Sequence, residues 1–101
     1  MSLKKQYFKT KSTCKVTFRL PADLAMDAKK ASVVGDFNKW NPKKGMMKKL
    51  KSGEFTAVIE IEKDNEYQFR YFLDEKRWIN DPSADKYVPN DFGEENSVVV
   101  V

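Results

Sequence analysis

The chain has 101 residues, 41% of them hydrophobic, 13% aromatic and 34% charged. This fits one globular domain with a modest core; it excludes a disordered chain and is small for an enzyme that must also build a deep cleft. The net charge of +4 divides unevenly, since 14 basic and 3 acidic side chains precede residue 52 while 5 basic and 12 acidic follow it. In a sandwich whose strands interleave, the two signs mix on a solvated surface. No apolar run approaches membrane-spanning length, and the N-terminal lysines are not followed by an apolar stretch, so neither a membrane partner nor a secretory signal is expected. Cys14 is the only cysteine, which leaves no internal disulfide and points to a reducing, cytoplasmic setting.

Residues 1–14 are polar and lysine-rich and read as a basic N-terminal arm, with Tyr7 and Phe8 available to dock it. Residues 15–101 read as a single β domain. Val16, Phe18 and Leu20 alternate with Lys15, Thr17 and Arg19, the pattern of a half-buried strand, and Pro21 ends it. Residues 22–30 hold no long periodic segment and read as a loop. A second strand spans residues 31–37, and a short edge strand spans 46–50. Phe55, Ala57, Ile59 and Ile61 alternate through 54–62, and Tyr67, Phe69, Tyr71 and Leu73 through 66–73. With Lys63-Asp64-Asn65 as the turn between them, these two runs read as a hairpin. A short strand at Trp78-Ile79, a long loop from 80 to 96 and a closing apolar strand, 98–101, complete the chain. About seven short strands, turn signals between them and no convincing helix predict an immunoglobulin-like antiparallel β-sandwich; a small barrel is the alternative.

Both tryptophans interrupt polar, turn-rich segments: Val34-Gly35-Asp36-Phe37-Asn38-Lys39-Trp40-Asn41-Pro42 and Asp74-Glu75-Lys76-Arg77-Trp78-Ile79-Asn80-Asp81-Pro82. A large apolar ring in such a setting needs a reason to be there.

The sequence has no histidine. That removes the commonest general base, the commonest metal ligand and every Ser-His or Cys-His pair. Neither a phosphate-cradling glycine loop nor a zinc spacing occurs. Carboxylates crowd the last third, at Asp74, Glu75, Asp81, Asp85, Asp91, Glu94 and Glu95, but they stand beside Pro, Asn and Gly, where acidic side chains usually cap turns. A facing pair for glycoside hydrolysis and a calcium loop over residues 80–91 are the weaker readings. No catalysis, metal or cofactor is expected.

Recognition remains. Sugars offer weakly apolar C–H faces that stack on flat rings, and hydroxyl rims that need hydrogen-bond partners. Trp40 and Trp78 can supply the faces. Arg70, on the outward face of its strand, can donate to hydroxyls, and the Asn96 amide both donates and accepts. Against this stands the reading in which both rings are core. Two other functions use the same residues differently: a protein-interaction domain with the tryptophans under a partner, and a nucleic-acid binder using Lys39, Lys43, Lys44, Lys48, Lys49 and Lys51, the latter a poorer fit than a solubilising surface.

Four segments in register resemble a known family. They are Val-Gly-Asp-Phe-Asn-Lys-Trp (34–40), Tyr-Gln-Phe-Arg-Tyr-Phe-Leu-Asp (67–74), Arg-Trp-Ile-Asn-Asp-Pro (77–82) and Asn-Asp-Phe-Gly-Glu-Glu-Asn (90–96). Together they are similar to family 48 carbohydrate-binding modules, the early-set domains of glycogen-branching and isoamylase-type enzymes, and to the glycogen-binding domain of the AMP-activated protein kinase β-subunit. The resemblance implies an early-set sandwich that binds α-1,4-linked glucan, glycogen or starch, without catalysis. It also implies a partner such as a glycoside hydrolase family 13 enzyme or another protein; the lysines as a solubilising surface and the lack of a long apolar run leave no nucleic acid and no membrane expected as partners. It places Trp40 and Trp78 at the stacking positions and Asn96 at a hydrogen-bonding asparagine. Arg70 falls at a lysine position, Phe92 at that of a leucine that reaches into the glucan coil, and Glu94 at that of a threonine.

Overall fold

The computed structural model describes residues 3–101. Alternation of apolar and polar residues is what builds it: among the described residues nine strands form two antiparallel sheets with their apolar faces turned toward each other. The first sheet runs in the order β1 (Leu3–Tyr7), β2 (Thr13–Leu20), β5 (Phe55–Glu62), β4 (Lys48–Lys49). The second runs β3 (Ala31–Gly35), β6 (Glu66–Leu73), β9 (Glu95–Val100), β8 (Lys86–Pro89). A further strand, β7 (Arg77–Ile79), pairs with the end of β6, on Tyr71 to Leu73, while β9 pairs with its beginning, on Glu66 to Phe69. A four-residue helix, α1 (Ala22–Ala25), lies between β2 and β3.

The core is the set of inward positions. Val16, Phe18 and Leu20 of β2 and Phe55 and Ile61 of β5 face Val33 of β3, Phe69, Tyr71 and Leu73 of β6, and Val99 of β9, all buried. Their rings form a continuous run: Phe18 lies 5.1 Å from Phe69 and 5.3 Å from Phe37, and Phe69 lies 5.7 Å from Tyr71. Edge-on and tilted contacts of this kind add about 0.5–1.5 kcal/mol per pair to what area burial supplies.

Several elements differ from the sequence expectation: residues 22–30, read as a loop, begin with the short helix α1, and the strands expected over 31–37 and 46–50 are shorter, at Ala31–Gly35 and Lys48–Lys49. The stretch read as an arm contains β1, paired with β2 from Leu3↔Phe18 to Tyr7↔Cys14, with Leu3 buried; residues 1 and 2 lie outside the described residues. A single buried side chain in an otherwise polar strand leaves little periodic signal. Strand β8 lies inside the stretch read as one long loop, because it is a short, exposed edge strand with Pro89 at its end. The runs 54–62 and 66–73 are not a hairpin: β5 pairs with β2 and β4, whereas β6 belongs to the other sheet. The connection crosses the sandwich, with Lys63 N donating to Ser12 O at 2.9 Å and Asp64 N to Val101 O at 3.0 Å. Alternation specifies which face of a strand is buried, not which strand it pairs with. The closing strand also begins earlier than expected, at Glu95, and only Ser97, Val98 and Val99 are covered on both faces.

One polar cluster is buried. Asp81 is fully enclosed, accepts from Tyr71 Oη at 2.7 Å and from Ser83 N at 2.8 Å, and donates from its own N to Ser97 Oγ at 2.9 Å. Burial first, and then the Asp81 charge, push the Tyr71 phenol well above its ordinary value. The cluster fastens the chain just after β7 and so fixes where Trp78 stands.

Candidate functional site

The segment leaving β3 must bring an indole to the surface, and the backbone bends sharply to do so. Gly35 ends the strand where a Cβ would stand 2.4 Å from Gln68 O and 2.7 Å from Phe69 Cβ, so only glycine fits against β6 there. Asp36–Asn38 then makes a 3-10 turn, and Lys39 and Trp40 follow with φ of 56° and 58°. Two successive non-glycine residues in the left-handed region cost about 1–2 kcal/mol each, so the surroundings must hold them. Asn38 Oδ1 accepts from Gly35 N at 3.1 Å, its Nδ2 donates to Val33 O at 3.0 Å, and Trp40 N donates to Gly35 O at 2.9 Å. Asp36 completes the brace, with Oδ1 accepting from Trp40 Nε1 at 2.9 Å and Oδ2 from Gln68 N at 2.8 Å.

Trp78 comes from the other side of the same surface. It sits opposite Phe72 across β6 and β7, and the two rings stack at 4.2 Å with 23° between their planes. The turn joining these strands has Asp74 and Glu75 at φ of 51° and 58°. The Asp74 carboxylate accepts from Lys29 N and Lys30 N at 2.9 and 3.0 Å, and these bonds, that from Lys30 foremost, hold its pKa below the usual carboxylate value. The indole of Trp78 is 41% exposed and that of Trp40 half-buried; their centroids lie 6.4 Å apart, tilted by 53°.

A third segment closes the far side. Residues 90–94 form a tight turn between β8 and β9: Asn90 Oδ1 accepts from Phe92 N at 2.9 Å and Glu94 N at 3.1 Å, and Asn90 N donates to Glu94 O at 2.9 Å. Gly93 takes φ of 78°, a conformation that glycine adopts without a side-chain penalty. The turn presents Phe92, 87% exposed, and Glu94, whose carboxylate accepts from Arg70 Nη1 at 3.0 Å. Asn96 donates to Gln68 Oε1 at 3.0 Å and accepts from Asn90 Nδ2 at 3.2 Å.

These segments enclose one open pocket of about 290 Å³, lined by Trp40, Arg70, Trp78, Asn90, Phe92 and Asn96. Five of the six residues singled out from the sequence therefore line it, and the sixth, Glu94, is bonded to the Arg70 of its wall. Sequence reasoning missed Asn90, whose signal was its place at the head of an Asn-Asp-x-Gly turn. It also missed Phe72, which it counted among the outward residues of an alternating strand. Neither nucleophile nor base lines the pocket. Of the carboxylates of the last third, Asp81 is held in the interior and Asp85 on Lys5 at 2.7 Å, whereas Glu94 stands at the pocket on Arg70. Among the described residues there is no cluster of three side chains fit to hold a metal ion, and no helix is long and apolar enough to cross a membrane.

Comparison with protein families matches residues 10–84 to carbohydrate-binding module 48, the isoamylase N-terminal domain. The chain belongs to this family. The matched part is thus a non-catalytic binding module, and carbohydrate is the ligand class the family implies. Trp40, Arg70 and Trp78 fall within the matched residues; Asn90, Phe92, Glu94 and Asn96 lie beyond them. A search of curated proteins returned no match.

Proposed function

We infer that this family 48 module binds α-1,4-linked glucan of the glycogen or starch type by stacking sugar rings on Trp40 and Trp78. One observation carries the reading: the two indoles are accessible on one surface, 6.4 Å apart, in the same pocket as Arg70 and Asn96. Their tilt suits a curved ligand, since successive sugars of a bent chain present their apolar faces at an angle to one another. The polar groups stand where hydroxyl rims would fall. Arg70 supplies donors, and Asn96, with one amide hydrogen and one lone pair engaged, keeps one of each for a ligand. The chain itself performs no reaction in this reading; it brings a glucan-metabolising partner, such as a glycoside hydrolase family 13 enzyme, to its polymer. Cytoplasmic glucan fits its single cysteine, Cys14, which is a buried thiol.

Titration with glycogen or β-cyclodextrin, followed by tryptophan fluorescence, tests this. Saturable quenching or a blue shift is expected, and Trp40→Ala and Trp78→Ala are each expected to lose most of the affinity while the fold persists. No response up to about 10 mM cyclodextrin, a free energy of association weaker than about −3 kcal/mol, overturns the reading.

A further inference from the structure

Arg70 is an unusual wall for a site that takes an uncharged ligand. Its side chain is only 13% exposed, and its Nε is buried with no hydrogen-bond partner. A guanidinium that is largely withdrawn from water must be compensated, because an unpaired buried charge is strongly unfavourable. Glu94 compensates it, at 3.0 Å from Nη1. Glu94 does not reach Arg70 by chance from a flexible tail: the Asn90 side chain and the bond from Asn90 N to Glu94 O fix the backbone at that point. The carboxylate is itself 60% exposed and so remains open to a ligand.

We propose that Glu94 sets the charge selectivity of the pocket, making it a site for neutral glucan segments that turns away phosphorylated or otherwise anionic ones. The proposal rests on the glucan reading above and adds the substrate class within it. The Arg70–Glu94 pair offers a donor and an acceptor side by side, which matches two adjacent hydroxyls of a pyranose, one accepting from the guanidinium and the other donating to the carboxylate. A phosphate ester carries about −1.5 to −2 charges at neutral pH. Placed against Arg70 it meets Glu94 as well, and the repulsion cancels the attraction that a free arginine would provide. Replacing Glu94 by a neutral side chain leaves Arg70 uncompensated in the wall, and an anionic ligand then becomes the better partner.

The test compares β-cyclodextrin with sulfated β-cyclodextrin on the whole chain, wild type against Glu94→Gln, which keeps the shape and removes the charge. The wild type is expected to prefer the neutral ring. Glu94→Gln is expected to move the preference toward the sulfated ring by about tenfold or more, with the new affinity falling as salt is raised. Trp78→Ala combined with Glu94→Gln identifies sulfated ring held by surface lysines, since it removes only binding at the pocket. If the wild type binds the neutral ring and Glu94→Gln leaves the ratio of affinities within about twofold, the selectivity proposal is overturned and the glucan reading stands. If neither protein binds either ring, the glucan reading falls and takes the proposal with it.

Discussion

Asp36 holds Trp40 by its indole N–H at 2.9 Å while its second carboxylate oxygen takes Gln68 N of β6 at 2.8 Å. One side chain therefore ties the exposed ring to the sheet beneath it, and does so at a point where two left-handed residues would otherwise relax. Asp36→Ala is expected to lower glucan affinity about tenfold and stability by about 1–3 kcal/mol, since it removes two hydrogen bonds worth about 0.5–1.5 kcal/mol each. Asp36→Asn, with one carbonyl oxygen left, is expected to fall between the two. Fluorescence titration and urea unfolding of the three proteins check this; equal affinities would show that Trp40 is positioned without the carboxylate.

Phe72 is the bed on which the second indole lies. Phe72→Ala removes a stacked ring at 4.2 Å, and such pairs are worth about 0.5–1.5 kcal/mol beyond area. The variant is expected to bind glucan about tenfold more weakly and to shift the tryptophan emission to longer wavelength as Trp78 gains water. Phe72→Tyr, which keeps the ring, is expected to bind as the wild type does.

The ring run at the centre carries the fold. Phe18 is fully buried and touches both Phe37 and Phe69. Phe18→Ala is expected to cost about 3–5 kcal/mol, a large share of the roughly 5–15 kcal/mol by which a domain of this kind is stable. Thermal unfolding followed by circular dichroism should show a midpoint lowered by well over ten degrees, at about 4–8 °C per kcal/mol.

Tyr71 gives the module an alkaline limit. Its folded pKa is raised above the ordinary 10.0, so the phenol keeps its proton in the folded chain where the unfolded chain has released it. The associated stability is fully present below pH 10 and declines as the pH climbs from there toward the folded value. Unfolding free energies measured between pH 8 and about 11.5 should fall across the upper part of that range, and Tyr71→Phe should show a shallower fall from a lower starting point, because Asp81 then lacks one donor.

The faces of the strands were plain in the sequence; their partners were not. Val16, Phe18 and Leu20, and Phe69, Tyr71 and Leu73, announced two buried faces, and both are buried. Nothing in the runs 54–62 and 66–73 said that β5 and β6 would lie in different sheets, because a short polar connection serves a hairpin and a crossing equally well. β1 and β8 escaped because edge strands with one or no buried residue carry no alternation. The pocket was readable to the extent that its residues break rules: tryptophans in polar turns stand out. Phe72 and Asn90 obey the rules, one as a strand aromatic and one as a turn amide, and what singles them out is cross-strand register and a hydrogen-bond closure that only the folded chain displays.

The two sides of the pocket are built differently. Trp40 and Trp78 are fixed to the sheet, one through Asp36 and one through Phe72 and the enclosed Asp81. Residues 90–94 stand on an outer hairpin, with Phe92 in solvent and open space beyond the Cα of Gly93. Its exposed tip, Asp91 and Phe92, can be rewritten without repacking anything beneath it, whereas Glu94 is tied to Arg70 and Asn90 to Asn96. A lineage of such modules can hence drift in what its cleft admits by altering Phe92 or Glu94, while the aromatic bed stays as it is.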